Sequence, residues 1–288
     1  MQILILPFIK TVLFFFLNGF CLMTLFPRPF RHFHHWIDRG ILAFFGGIAL
    51  QTLLFYLGNC LFGLKISFIN MIISSCLLLA ATSIKLIKRS PSLVSKPPHK
   101  HKWPIKTLTV LLCLSVIFTI ALQIRLENQL KYPNQLLDSD PYRHEIRSHA
   151  MLATGVISSF DPYIVGQTPI FELQACYVIT TLVGHLTGFN AWQMWMWGSQ
   201  LAGALCIFAI FLFAKYLFRL ILIEQNNQAL AAKHFYGLDL SHWVGLIAAA
   251  LLGASPVHIL RTNMGFSEAL ALPYLAFTLL FYLMAHYH

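Results

Sequence analysis

The chain has 288 residues, of which 58% are hydrophobic and 10% are charged, and its mean hydropathy is +0.69. This composition excludes an ordinary water-soluble domain, because such domains carry about 25% charged residues. The formal net charge of +10 does not indicate a nucleic-acid partner, since many of the basic residues gather beside apolar runs. We therefore expect an all-α integral membrane protein that contacts membrane lipid.

Seven apolar runs are long enough to cross a bilayer, which takes roughly 20 residues. They predict a polytopic fold of about seven transmembrane helices, joined by an external loop with short interfacial helices. An eighth apolar run, 170–187, is ambiguous, and we interpret it as an interfacial or re-entrant helix inside that loop. The seven predicted spans are 3–26, 40–63, 66–85, 104–125, 191–216, 243–260 and 269–286.

The basic residues between the spans predict the orientation. By the positive-inside rule, the loops that carry them face the cytoplasm. The N-terminus, the loop 127–190 and the segment 261–268 then share the external face, and the expected location is a bacterial inner membrane. The residues behind this prediction are Arg28, Arg31, Arg39, Lys85, Lys88, Arg89, Lys96, Lys100, Lys102, Lys106, Lys215, Arg219 and Lys233.

Ionisable residues are scarce in the predicted span interiors. Lys10 lies well inside one span, and His258 lies near the end of another. An ion or proton pathway needs a series of charged groups within the membrane, so this pattern argues against a transporter. The tryptophans that begin the 191–216 span, Trp192, Trp195 and Trp197, indicate an interfacial belt rather than a sugar-stacking platform.

The external loop concentrates the carboxylates, since six of the ten acidic residues fall between 127 and 172. Asp138 and Asp140 form a D-x-D pair, and such hard oxygen ligands suit Mg²⁺ or Mn²⁺. Asp140 followed by Pro141 also predicts a helix start, because Asp caps free N–H groups and Pro is tolerated in the first turn. We expect the helix to continue from 142 to 156 and to end near Gly155.

Two pairs of residues share faces of this helix at i, i+4 spacing, Arg143 with Arg147 and Glu145 with His149. One interpretation is a capped, salt-bridged surface helix. The other is a helix that presents groups for chemistry, and a second polar cluster on the same membrane face favours it. Alone, Arg261 and Glu268 would be typical interfacial anchors, but with the loop they supply oxygen ligands and guanidinium groups for phosphate. The second cluster comprises Pro256, His258, Arg261, Asn263, Gly265, Ser267 and Glu268.

Two segments resemble those of the catalytic subunits of oligosaccharyltransferases, within the C-type glycosyltransferase (GT-C) superfamily. The run from Asp140 to His144 is similar to the D-P-Y-x-H segment of that family's first external loop. The run from Arg261 to Glu268 is similar to its R-x-x-x-G-x-x-D segment, with Glu268 where Asp is usual. The resemblance covers about 104–288, so residues 1–103 are expected to form an added three-span region with a basic cytoplasmic linker.

The resemblance implies a membrane glycosyltransferase that transfers a sugar from a polyprenyl-phosphate-linked donor to an acceptor on the external face. Asp140 would be the catalytic base or a metal ligand, with Asp138 and Glu268 as further ligands of Mg²⁺ or Mn²⁺. Arg261 would contact the donor phosphate. Arg143, His144 and Arg147 are the other expected substrate-binding residues.

The chain also departs from the family pattern. Leu270 stands where the family has a second acid, no W-W-D segment is present, and the chain stops where such enzymes continue with more spans. These departures imply a fragment, or a smaller relative that transfers a single sugar. They also keep open a non-catalytic membrane protein, such as a carrier or an assembly subunit, which would tolerate substitution at Asp140 and Glu268.

Overall fold

The computed structural model describes residues 2–30, 32–33, 35–89, 105–131, 140–157, 174–225, 230, 234–235, 238–263 and 268–286. Helices dominate these residues, as the sequence predicted. They are α1 (Gln2–Leu25), α2 (Pro27–Phe30), α3 (Trp36–Phe62), α4 (Phe68–Arg89), α5 (Ile105–Lys131), α6 (Asp140–Thr154), α7 (Ala175–Thr187), α8 (Ala191–Gln193), α9 (Ser199–Glu224), α10 (Leu240–Ala254), α11 (Pro256–Asn263) and α12 (Glu268–His286).

Two further elements complete the described chain. A π-helical segment, Met194–Gly198, joins α8 to α9, so that the helical path is continuous from residue 191 to residue 224. Strands β1 (His234–Phe235) and β2 (Leu238–Asp239) pair antiparallel in a short hairpin directly before α10.

Five helical stretches of the described residues are long and apolar enough to cross a membrane. They coincide with the first five predicted spans, and they indicate an all-α integral membrane protein. The stretches are Leu6–Leu25, Trp36–Phe62, Phe68–Lys88, Lys106–Glu127 and Ala191–Glu224.

In the structure, the last two predicted spans do not form long continuous helices of the kind that the first five form. The predicted span 243–260 is interrupted, because Ser255 has extended backbone angles and Pro256 starts a new helix. Proline lacks the N–H that a continuous helix needs at that position. The described apolar part of the predicted span 269–286 covers only 271–286, and the ambiguous run 170–187 forms the 13-residue helix α7.

The chain divides into two compact units, each built from two stretches of sequence. Unit 1 comprises Met1–Leu93 and Leu136–Gly198, and unit 2 comprises Val94–Gln135 and Ser199–His288. Helices α6 and α7 of the predicted external loop therefore belong to the same unit as the first three spans. The division that the resemblance implies, 1–103 and 104–288, stays a prediction.

Helices α1 and α3 of unit 1 approach closely at two glycines. A Cβ added to Gly19 would lie 1.6 Å from the carbonyl oxygen of Ala43, and one added to Gly47 would lie 1.8 Å from that of Phe15. Small residues of this kind let helix backbones pack together where no hydrophobic effect between lipid and helix favours association. The apolar core around Phe15 extends through Phe55 to Tyr177 and Trp195.

A buried polar network also joins the first three spans. The Gln51 side-chain amide donates to Asn18 Oδ1 at 2.6 Å, and Gln51 Oε1 accepts from the Ser74 hydroxyl at 3.1 Å. Asn18 Nδ2 donates to Ser75 Oγ at 3.0 Å. Each of the two amide side chains thus uses both its oxygen and its nitrogen, as burial requires.

Asn59, near the end of α3, connects three segments of unit 1. Its Nδ2 donates to the carbonyl oxygens of Leu64 and Gly155, and its Oδ1 accepts from the Ile157 N–H. Gly155 follows α6 with a φ of 70°, a left-handed conformation that favours glycine. The Ile66 N–H also bonds the Gly155 carbonyl at 2.8 Å, so the end of α6 is fixed against the α3–α4 connection.

In unit 2, α9 packs against α5, α10 and α12. Lys215 corrects a sequence-based prediction, because it lies within α9 and is fully buried rather than in a basic loop. Its ammonium lies over the rings of Phe211 and Tyr216, which lets the apolar stem and the charge be accommodated together. Arg219, one turn later, donates to Ser241 Oγ and pairs with Asp239 beside the hairpin.

Candidate functional site

Helix α6 begins at Asp140 and ends at Thr154, as the Asp-Pro start signal and Gly155 predicted. The helix carries four of the predicted site residues, and the structure describes the side chains of His144 and Arg147. Asp140 is placed by its backbone as the first residue of the helix, one turn before His144. Residues four apart share a helix face.

His144 and Arg147 both point toward Tyr177 of α7. His144 Nδ1 lies 2.7 Å from the Tyr177 hydroxyl oxygen, and Arg147 Nη1 donates to the same oxygen at 3.2 Å. A phenolic hydroxyl that accepts from arginine still has its own proton to donate, and Nδ1 of a neutral imidazole can receive it. Arg147 and Tyr177 are buried, so these bonds hold the polar face of α6 in one arrangement.

A second chain of hydrogen bonds lies one residue further along α6. The Trp195 indole N–H donates to Ser148 Oγ at 2.9 Å, and Ser148 Oγ lies 3.2 Å from Thr180 Oγ1. The Thr180 hydroxyl in turn donates to the Tyr177 carbonyl oxygen. The His144 ring also stacks on the Trp195 ring, with centroids 5.2 Å apart.

Trp195 therefore corrects the interpretation of the tryptophan run as an interfacial belt. It is 1% exposed and belongs to the core of unit 1. Trp192 behaves differently: it is partly exposed, and its ring lies 5.3 Å from that of the exposed Tyr142 at the start of α6. Tyr142 and Trp192 thus form an aromatic pair at the surface, beside the start of α6.

Glu145 lies on α6 between His144 and Arg147. Partial burial raises the pKa of its carboxyl, and the nearby His149 opposes the shift. This agrees with the predicted i, i+4 relation between the two residues. The carboxyl is the described acidic group closest in sequence to Asp140.

The second predicted cluster lies where α10 gives way to α11 in unit 2. Ser255 caps the start of α11, because its Oγ accepts the His258 N–H at 3.4 Å. His258 Nε2 lies 3.1 Å from the Gly203 carbonyl oxygen of α9, so the imidazole faces into the unit. Arg261 lies on α11 and Glu268 begins α12, and their side chains are outside the described part of the structure.

Arg125 is a residue of this region that sequence reasoning missed. It lies near the end of the apolar stretch Lys106–Glu127 and is 0% exposed. Its Nη1 donates to the carbonyl oxygens of Ala121 and Gly253 at 2.8 and 3.1 Å. The signal was present, because an arginine inside an apolar run is rare, but the predicted span boundary fell at 125.

The predicted metal site stays a prediction. Asp138 lies outside the described residues, and the side chains of Asp140, Arg143 and Glu268 do too. Carboxylate oxygens are suitable donors for Mg²⁺ or Mn²⁺. Among the described residues there is no group of three His, Cys, Asp or Glu side chains that could hold a metal ion. Asp140 belongs to unit 1 and Glu268 to unit 2, and their convergence is likewise a prediction.

No protein-family model, curated protein or solved structure matches the chain. The resemblance to oligosaccharyltransferases therefore depends on the two short segments alone.

Proposed function

We propose that the protein is a polytopic membrane glycosyltransferase that transfers a sugar from a polyprenyl-phosphate-linked donor to an acceptor. The observation that carries the proposal is the arrangement of α6. The helix begins at the predicted base Asp140, and its next two turns hold His144 and Arg147 in fixed hydrogen bonds to Tyr177. Catalytic groups need such supported positions, because loosely held groups lose rate.

The proposed reaction needs one proton acceptor. The acceptor's oxygen or nitrogen attacks the anomeric carbon of the sugar and forms the new bond, while the bond between that carbon and the phosphate oxygen breaks. The acceptor's proton moves to the carboxylate of Asp140, and the lipid phosphate leaves with the bonding electrons. A positioned general base of this kind contributes about 10² to 10⁴ in rate.

The other residues of α6 have positioning and binding roles in this proposal. His144 and Arg147, together with Arg143, bind polar groups of the donor or acceptor, and Arg261 contacts the donor phosphate. Tyr177 keeps His144 and Arg147 in place. Mg²⁺ or Mn²⁺, if held by Asp138, Asp140 and Glu268, would offset phosphate charge, and the proton transfer to Asp140 does not depend on it.

The proposal includes a membrane arrangement. The five long helices together with α10–α11 and α12 make about seven crossings, with α6 and α11 on the external face of a bacterial inner membrane. The positive-inside pattern supports this orientation. Membrane lipid and a lipid-linked donor are then the partners that reach α6.

Asp140→Asn tests the proposal, because it removes the proton acceptor with little change in size. The purified full chain in lipid nanodiscs is supplied with short-chain polyprenyl-phosphate sugars and candidate acceptors, and release of polyprenyl phosphate is measured. We expect acceptor-dependent release by wild type and about a 100-fold or greater loss in the variant. Glu127→Gln is the matched control, since Glu127 is an exposed carboxylate that pairs with the exposed Lys131. Equal rates for wild type and Asp140→Asn contradict the assigned base.

A non-catalytic membrane protein, such as a carrier or assembly subunit, is the second candidate. The specific observation in its favour is that His144 and Arg147 are both used in bonds to the buried Tyr177. Polar groups can be retained in a core for that purpose alone. This candidate predicts that Asp140→Asn and Glu268→Gln leave both the abundance and the cellular role of the protein at wild-type levels.

A further inference from the structure

Arg125 is held in place by two backbone carbonyls. Its Nη1 donates to Ala121 O on its own helix, α5, and to Gly253 O in the last turn of α10. The last carbonyls of a helix have no partner within the helix, so the Gly253 carbonyl is available to a side chain. Gly253 also lets the helices approach, because a Cβ there would lie 3.3 Å from the Cβ of Ala121. The position of the guanidinium plane is therefore fixed by α5 and α10.

The other edge of the same guanidinium makes no hydrogen bond within the described part of the chain. Arg125 Nε and Nη2 are both fully buried and have no partner there. These two nitrogens lie on one edge of the planar group, and their N–H bonds point in the same direction. Such an edge is a two-pronged donor that matches two oxygens of one phosphate or carboxylate.

Burial makes this donor edge unusual. Nearly all buried polar groups in proteins are hydrogen-bonded, and an unpaired buried charge is costlier than an unpaired neutral group. The described neighbours of Arg125 include Cys206, whose thiol donates to the Ala202 carbonyl, and His258, whose Nε2 bonds Gly203. Neither is a carboxylate. An oxoanion would satisfy both N–H groups and the charge at once.

We propose that the Nε–Nη2 edge of Arg125 binds a phosphate group. Arg125 lies two residues before the end of the apolar stretch Lys106–Glu127. The end of a membrane-crossing stretch is where lipid headgroup phosphates are expected. The phosphate is carried by a lipid or is free in solution, and the chemistry at the guanidinium is the same. His258 on α11 lies within electrostatic range of Arg125.

This site goes beyond the proposed sugar transfer and does not depend on it. It is defined by Arg125, Ala121 and Gly253, all in unit 2. A chain that binds phosphate through Arg125 but transfers no sugar would keep this site and contradict the proposed function. A chain that transfers sugar but does not bind phosphate through Arg125 would support the proposed function and contradict this site.

The test is direct binding to the purified full chain in phosphate-free detergent solution. Farnesyl phosphate is the probe, and farnesol is its matched control, because it has the same chain without the phosphate. We expect wild type to bind farnesyl phosphate and to bind farnesol at least about tenfold more weakly, since bonds to a charged group are lost. Arg125→Lys, which keeps the charge but loses the two-pronged edge, should weaken farnesyl phosphate binding about tenfold or more.

Arg219→Lys is the control variant, because Arg219 is an arginine of the same unit that is already paired with Ser241 and Asp239. Its affinity for farnesyl phosphate should match that of wild type. Competition by millimolar inorganic phosphate would identify a soluble source, and its absence a lipid source. Equal binding of farnesyl phosphate and farnesol by wild type overturns the proposal even if Arg125→Lys fails to fold, as does unchanged affinity in a folded Arg125→Lys.

Discussion

Asn18 in unit 1 and Arg125 in unit 2 are both buried polar side chains on helices that are long and apolar enough to cross a membrane. Asn18 meets Gln51 and Ser75, and the two amides pair their oxygens and nitrogens with neighbouring spans. Arg125 uses only Nη1, while Nε and Nη2 lack partners among the described residues. Neutral amides and hydroxyls, which both donate and accept, can complete one another inside a helix bundle. A guanidinium only donates, so acceptors alone can complete its hydrogen bonds, and its charge makes an anion the strongest of them.

The largest effect is expected where the close helix approach that supports the Asn18 network is broken. Gly47→Ala would place a Cβ 1.8 Å from the Phe15 carbonyl oxygen, so α1 and α3 must separate. We expect a loss of about 3 kcal/mol in the free energy of unfolding, measured by denaturant titration in mixed micelles. The neighbouring Gly46→Ala is the control, because its Cβ would lie 3.5 Å from the nearest atom, Leu22 Cδ2. Equal stability of the two variants would contradict this packing.

Removing one polar group from each region should have different effects on stability. Gln51→Leu removes one partner of the Asn18 amide and one of the Ser74 hydroxyl, which keep their bonds to Ser75 and Met71. We expect it to lower the free energy of unfolding by about 1 to 3 kcal/mol. Arg125→Met removes an incompletely paired buried charge, so in phosphate-free detergent its stability should be unchanged or higher by about 1 to 4 kcal/mol. The measurement is the free energy of unfolding of both variants in the same denaturant. If Arg125→Met lowered the free energy of unfolding as much as Gln51→Leu does, Arg125 would be a residue that stabilises the fold.

The smallest effect concerns the partly buried carboxyl of Glu145. Because burial raises the pKa of this group in the folded state, the stability that it contributes is fully present below its unfolded pKa. That contribution is lost as the pH rises through the folded pKa. Glu145→Gln should remove this pH dependence of the free energy of unfolding at mildly acidic pH. The difference in that free energy between wild type and variant should stay below about 1 kcal/mol, because solvent screens a partly exposed group. Unfolding at several pH values tests it, with Glu127→Gln as the control, and an unchanged pH slope in Glu145→Gln would refute it.

Local sequence signals predicted the local features well. Apolar runs of sufficient length marked the five long helices, and Asp140-Pro141 and Gly155 marked the start and end of α6. These features depend on residues that are close together in the chain. The break between α10 and α11 was also signalled, by Pro256, but the apolar character of the run outweighed it in the prediction.

The contacts that give the polar clusters their character could not be predicted in the same way. Tyr177 meets His144 across 33 residues, and Trp195 meets Ser148 across 47. Nothing near either residue in the chain indicates such a partner. Charge alone predicts a loop position for Lys215, whereas the rings of Phe211 and Tyr216 accommodate it inside α9.

The bonds of Asn59 determine the order in which parts of unit 1 can complete their folding. Its Nδ2 bonds the carbonyl of Gly155, which is made 96 residues later in translation. At about 5 to 20 residues per second, these residues follow Asn59 out of the ribosome after about 5 to 20 s. All of α5, which belongs to unit 2, is synthesised during this interval. The Asn59 side chain therefore lacks its bonds to Gly155 and Ile157 while the first three spans are already synthesised. This part of unit 1 completes its folding only after α6 has been made.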